Sequence, residues 1–406
     1  MLLDRRARFD AVLDDVRRDK VTSLSLASVD LDAKDKVDEL LDALRGNTSL
    51  KTLYGGTPLF RYDSMAACQS ICAIRNLKEI YLRPEILQGD SALVYLLANS
   101  RLERLHFGFC NLKARSLIVL ASAIQDNTTL RFLNLSINLL SIEDETDANS
   151  FECFGRALSS SVVEDLDLDG NKIETQGLVA LRLENITTLQ KLSLNNARLG
   201  SGFGQVLRRT LTSSSCCWTD LCLGENDLSR DNDMQDLSFG VGQCESMNML
   251  RVNNCAIGDT GSIHLSRQLL ESPLCNLVTV YMKQNNVTDR GALDWAEVLR
   301  TNKSLRHLSL DDNKIGYTGA EALCQSMIES NVTLHRLVLD GNPICDFKIK
   351  RSIRFYSKLN VRGRYVLGDT EVPLALWPHI LATMRVLLDV RFYFLQQKPE
   401  LFQRHQ

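Results

Sequence analysis

His307, Ser309 and Asp311 stand at alternate positions of one short segment, and together they are the residue set of a base, a nucleophile and an orienting acid. Alternate residues of a strand lie roughly 7 Å apart. That is beyond hydrogen-bond reach for a nucleophile and its base, so the set is expected to be idle. Gly200-Ser-Gly202-Phe-Gly204 is rich enough in glycine to cradle a phosphate. It reads G-x-G-x-G rather than G-x-G-x-x-G, and no Walker Gly-Lys-Ser/Thr occurs, so these are expected to be turn glycines. Twelve cysteines include Cys68 and Cys72 at i, i+4 and a cluster of Cys216, Cys217 and Cys222. No second pair follows at zinc-site spacing, and none of the histidines completes a set. Buried thiols are expected, with no metal, no cofactor and no catalytic residue.

Seven Asn-x-Ser/Thr sequons would suit a glycoprotein: Asn47, Asn127, Asn134, Asn185, Asn286, Asn302 and Asn331. Asn47, Asn127, Asn302 and Asn331 each stand three residues before the start of a repeated segment, where a helix should end and a left-handed asparagine is tolerated. The opening MLLDRRARFDAVLDD has no apolar run behind its charges. No secretory signal and no membrane helix are expected. The sequons should therefore stay unmodified, in a cytoplasmic protein.

The elements that carry these residues are set by a repeat. The frame L-x-x-L-x-L-x-x-N/C-x-L fits Leu130, Leu133, Leu135, Asn138, Leu140, and again Leu305, Leu308, Leu310, Asn313, Ile315. It starts twelve times, at Val21, Leu50, Leu77, Leu102, Leu130, Val163, Leu189, Trp218, Met247, Leu277, Leu305 and Leu334. Separations run from 25 to 33 residues, most of them between 27 and 30. A length of 406 residues would otherwise suggest two or three domains at roughly 150 residues each. Each L-x-L alternation reads as a short strand buried on one face. A turn and an amphipathic helix follow it. A single strand and helix cannot bury their own apolar sides, but stacked copies can. Helices are wider than the strand spacing of about 4.8 Å, so the stack must curve. Net charge of -3, 44% hydrophobic and 24% charged residues exclude a disordered chain and give no sign of a general nucleic-acid or membrane binder. The 6% aromatic share means an aliphatic core.

The Asn position of the frame holds Asn138, Asn171, Asn226, Asn285, Asn313 and Asn342, with Cys110 and Cys255 in the same place. An amide there can satisfy backbone groups of neighbouring turns. With motifs such as Leu166-x-Leu168-x-x-Asn171-x-Ile173, the chain resembles the leucine-rich repeats of the ribonuclease-inhibitor-like class. That resemblance implies an α/β horseshoe solenoid of about twelve repeats, with parallel strands on the concave face and helices on the convex face. Pro58 and Glu85 occupy the Asn position of repeats two and three, so the early rungs are degenerate.

In the frame, positions three, five and seven face the concave side and position eight lies beside them. Repeats two to five place Tyr54, Tyr81, Arg83, Arg104, His106, Phe109 and Phe132 there, with Tyr54, Tyr81 and His106 on adjacent rungs. Repeat six places Asp165, Asp167 and Asp169. Aromatic residues beside arginine anchor protein interfaces, and the aspartates suit a basic partner or a cation, or else form an open, solvated acidic strip. Residues 1–20 are expected to cap the solenoid of 21–345 at one end and 346–406 at the other. The second cap starts with a basic helix carrying Lys348, Lys350, Arg351, Arg354 and Lys358. The long fifth separation holds an acidic stretch, Glu143–Asp147, expected to be a looped insertion within 141–150. The expected function is non-enzymatic: a monomeric scaffold holding an unknown protein partner on the concave face, with no nucleic acid and no membrane. Two alternatives come from resemblance. One is a GTPase-activating protein like the Ran GTPase activator, whose partner would be a small GTPase. The other is a repeat-only relative of nucleotide-binding leucine-rich-repeat receptors.

Overall fold

Each L-x-L segment is a three-residue strand, and a helix follows every one of them. The computed structural model describes residues 2–365 apart from 28, 56, 83–89 and 345, and also 393, 396 and 397. The chain divides into two compact units, Met1–Asn226 and Asp227–Gln406.

The first unit opens with α1 (Leu2–Arg17), β1 (Ser23–Ser25), α2 (Lys34–Leu44), β2 (Thr52–Tyr54), α3 (Ser64–Cys72), β3 (Glu79–Tyr81) and α4 (Asp90–Asn99). It continues with β4 (Arg104–His106), α5 (Ser116–Ile124), β5 (Phe132–Asn134), α6 (Glu145–Ser160), β6 (Asp165–Asp167), α7 (Glu174–Leu181), β7 (Lys191–Ser193), α8 (Phe203–Leu211) and β8 (Asp220–Cys222). Strands pair in parallel, each with the next in sequence. The second unit runs α9 (Asp231–Gln243), β9 (Met249–Arg251), α10 (Gly258–Glu271), β10 (Thr279–Tyr281), α11 (Asp289–Thr301), β11 (His307–Ser309), α12 (Tyr317–Glu329), β12 (Arg336–Val338) and α13 (Phe347–Val361). Its four strands pair in the same way. None of the described helices is long and apolar enough to cross a membrane.

The period sets the core. The central strand residues Leu53, Ile80, Leu105, Leu133, Leu166 and Leu221 are fully buried, and so are Phe107, Leu135 and Leu194 two positions on. Period-two alternation sends the flanking residues to the other face. At one end Phe9, Leu13 and Val16 of α1 are buried, as the amphipathic spacing requires. At the other, α13 buries Ile349, Ile353 and Leu359. Tyr393 lies edge-on to Phe355, with centroids 5.8 Å apart. The remainder of the expected cap beyond residue 365 lies outside the described residues.

Asn171 shows what the frame asparagine does. Its Oδ1 accepts from the backbone N–H of Asn138 and Leu140, and its Nδ2 donates to Leu135 O and Leu168 O. Asn138, Asn226 and Asn313 make the same bonds in their own rungs, and Asn285 does so with Lys283 O as its own-turn acceptor. Every one of these amides is buried.

The sequon asparagines differ from expectation. None of Asn47, Asn127, Asn302 and Asn331 has positive φ. Each instead makes a second bridge, buried at Asn47, Asn127 and Asn331 and half-buried at Asn302. Asn127 Nδ2 donates to Leu97 O of the preceding repeat, while its Oδ1 accepts from Thr129 N and Leu130 N. Asn331 does the same with Leu299 O, Thr333 N and Leu334 N. The sequon hydroxyl serves too, since Thr129 Oγ1 donates to Leu102 O. The amide gains more from these bonds than from a left-handed cap, because they satisfy the helix end and the strand start together.

The acidic insertion is also corrected. Residues 141–144 are irregular, but from Glu145 the insertion is helix: Asp144 caps α6 by accepting from Asp147 N, and the extra residues lengthen that helix. Acidic side chains favour a helix N-terminus through its dipole.

Asn171→Ala removes five hydrogen bonds and leaves backbone groups of two rungs unpaired in the core. Chemical denaturation should show a loss on the order of 1–3 kcal/mol. An unchanged midpoint would refute the bridging role.

Candidate functional site

Parallel pairing in register aligns equivalent frame positions into columns. Tyr54 and Tyr81 face one another across β2 and β3, and Tyr81 is register partner to His106 of β4. Strand spacing of about 4.8 Å is close to a stacking distance, and the rings do stack. Tyr54 and Tyr81 centroids lie 4.5 Å apart, and Tyr81 and His106 lie 3.8 Å apart with planes within 8°. His106 and Phe132 are 5.0 Å apart and tilted. The Arg104 guanidinium caps the end of the ladder, 3.8 Å from the Phe132 centroid.

Glu79 organises this ladder and is absent from the residues expected at the site. Its Oε1 faces His106 Nε2 at 2.9 Å, Arg104 Nε at 3.2 Å and the Tyr81 hydroxyl at 3.4 Å. Burial works against its charge, but His106 and Arg104 outweigh it and hold Glu79 below the usual carboxylate range. An ionised carboxylate can only accept, so His106 Nε2 carries the proton. Burial lowers the His106 pKa despite Glu79, so the imidazole is neutral at pH 7. Glu79 stands at position three of repeat three, next to Arg104 in the same column, so the frame alone could have flagged it. Ring pairs contribute about 0.5–1.5 kcal/mol beyond burial. A half-exposed pair such as Arg104–Glu79 contributes about 0–1 kcal/mol. The rings, not the ion pair, make the ladder rigid.

The other expected residues divide. Arg83 lies outside the described residues. Phe109 does not join the ladder. Position eight ends the strand in the left-handed region, with φ of 59° at Phe109, and its ring is 74% exposed at the turn. The aspartates of β6 do not form an open acidic strip. Asp167 accepts from Asn134 Nδ2 at 2.8 Å, and Asp169 accepts from Asn195 N and Nδ2 at 2.7 and 2.8 Å. Asp165 sits in register between Phe132 and Lys191. Asn134 and Asn195 occupy the matching positions of neighbouring repeats, so each carboxylate is answered by the rung beside it. Burial raises the Asp165 pKa and pushes Asp167 up to about 6.

His307, Ser309 and Asp311 do not come together as a base, nucleophile and orienting acid. Ser309 donates to Asp311 despite the strand spacing, because β11 ends at Ser309 and the chain turns the carboxylate back. His307 bonds to neither. Cys68 and Cys72 lie on α3 and donate to Ala92 O and Leu96 O. Burial pushes their thiols up to about 12 and about 11, so they stay protonated. Among the described residues, no group of three His, Cys, Asp or Glu side chains is placed to hold a metal. In the second unit the strand face is mixed, with Arg251 4.9 Å from the Tyr281 ring and Lys283 paired to Asp312 at 3.0 Å.

A leucine-rich-repeat family model matches residues 159–181 and 301–324. The ribonuclease inhibitor of Sus scrofa is 29% identical over 270 residues, 64% of this chain and 58% of that protein. That of Mus musculus is 27% identical over 279 residues, covering 66% of this chain and 59% of its own length. The chain thus spans somewhat over half the length of these relatives. NACHT, LRR and PYD domains-containing protein 3 of Mus musculus is 29% identical over 127 residues, 31% of this chain and 11% of that protein.

The raised Asp167 pKa has a stability consequence. The fold favours the protonated form, so its contribution is full below about pH 4 and is lost as pH rises through about 6. Asp167→Asn should therefore gain stability relative to the parent between pH 4 and pH 6. An NMR titration of the Asp167 carboxyl should give a midpoint near 6; a midpoint near 4 would contradict the burial assigned to it.

Proposed function

Because the chain is a leucine-rich-repeat protein of the ribonuclease-inhibitor-like class, we propose that it is a non-enzymatic binding module whose strand face, concave in this class, holds a partner protein. In this reading residues 21–345 are the binding solenoid, flanked by 1–20 and 346–406, and the module acts as a cytoplasmic monomer. The observation that carries it is the stacked ladder Tyr54–Tyr81–His106–Phe132 with Arg104 at its end.

Three properties support this use. Tyr54 remains 38% exposed and Arg104 close to half exposed, so the ladder presents aromatic and guanidinium surface to solvent. Stacking and Glu79 fix the side chains beforehand, so a partner orders little on binding. Tyr and Arg are also the residue types that dominate interface energies. The likeness to NACHT-containing proteins extends, for NACHT, LRR and PYD domains-containing protein 5 of Mus musculus, to 67% of this chain but only 23% of that protein. It supports a second reading in which the chain shares only the recognition repeats of such receptors.

The test replaces Tyr81 and Phe132 together with alanine and compares proteins captured by parent and variant, identified by mass spectrometry. Specific partners should fall at least about tenfold, the scale of one interface anchor, with an unchanged melting temperature. Equal capture by a folded variant would overturn the proposal.

A further inference from the structure

The last rung of the second unit holds a feature separate from the aromatic ladder and independent of the reading above. A cavity of about 270 Å³ opens between β12 and α13. Lys350, Arg354 and Lys358 line it from α13 at i, i+4 and i+8, one face of the helix. Arg336 lines it from β12. None of these four cations forms an ion pair with a described residue, and the single acid on the lining is Asp340. Lys348 and Arg351, the other two cations of the basic helix, do not line it.

Two of the uncharged groups are donors. Ser357 is 9% exposed and lines the cavity, and its hydroxyl has no hydrogen-bond partner. Arg336 N donates to Arg306 O, and Val338 O accepts from Leu310 N, so these alternate residues face β11. The intervening Leu337 N–H and C=O must point to the outer edge, where no described strand follows. Four cations, a buried hydroxyl and an edge N–H converge on a space just below the usual range of ligand pockets, roughly 300–1,000 Å³, and so suited to a small ligand. Several donors around a point, with a charge excess of three, match a group with many anionic oxygens better than a single carboxylate.

We propose that this cavity binds a small, soluble ligand bearing more than one phosphoryl group, held by Arg336, Lys350, Arg354 and Lys358 with Ser357 as a neutral donor. The site lies on the closing rung, so a bound ligand would tie α13 to β12 and stabilise that end of the solenoid.

The probe is pyrophosphate, titrated calorimetrically into the full chain at about 0.15 M salt, with inorganic phosphate as a weaker comparison. Saturable one-to-one binding is expected, with a rise in melting temperature. Lys350→Ala with Arg354→Ala should weaken it at least about tenfold, the scale of lost charge-assisted hydrogen bonds. Lys348→Ala with Arg351→Ala removes the same charge from the same helix outside the cavity, and should leave affinity within about twofold. Ser357→Ala, which removes no charge, should weaken binding by several-fold at an unchanged ligand-free melting temperature. Absence of saturable binding to the parent chain would overturn the site. Equal losses in the two double variants would overturn it as well, by reducing it to bulk charge. These outcomes do not depend on partner capture by the first unit.

Discussion

The structure depends on one interaction, a buried primary amide that bonds to its own turn and to the turn before it. Three-residue strands cannot satisfy the backbone of the turns that follow them. Asn171 does so, with Oδ1 on two N–H groups and Nδ2 on two carbonyls across adjacent rungs. An unpaired backbone group in a core costs about 1–3 kcal/mol, comparable to a full buried side chain, so the leucines could not close these turns alone. The sequon asparagines repeat the solution at the opposite corner, between helix end and strand start. Repeats five, eleven and twelve, which carry both asparagines, are thus fastened at two points, and the aliphatic core fills the space between them.

Register follows from that fastening, and the strand face follows from register. With each turn pinned, equivalent positions fall into columns one strand spacing apart. A column of rings then has to stack, as Tyr54, Tyr81 and His106 do. A column of polar residues has to answer its neighbours, as Asn195 answers Asp169. The same rule ends at β12, where no described rung supplies the next column and cations of α13 surround the open edge.

The repeat, the strands, the frame asparagines and the ladder rings were legible because they are periodic, and period-two alternation tells which face each residue takes. What escaped the sequence was the pairwise chemistry within columns. Glu79 was not among the expected site residues, because its role arises only where His106 and Arg104 converge on it. Asp165, Asp167 and Asp169 looked like an open acidic strip, but Asn134 and Asn195 one rung away absorb two of the three. Phe109 stands outside the ladder because position eight lies past the strand with φ of 59°, a turn that a phenylalanine does not advertise. The acidic stretch at 143–147 was read as a loop on composition, whereas capping by Asp144 and the helix dipole made it a helix start.

The corner asparagines carry a practical consequence for anyone producing this protein. An Asn-x-Ser/Thr triplet is an address that a secretory glycosylation system can read on an extended chain. In the folded protein Asn47, Asn127 and Asn331 are at most 6% exposed, and their amides are committed on both sides. A sugar attached before folding would have to occupy the space of a helix end and a strand start at once. Expression routed through such a compartment would therefore sort the product by glycan occupancy, with the occupied chains trapped as folding failures.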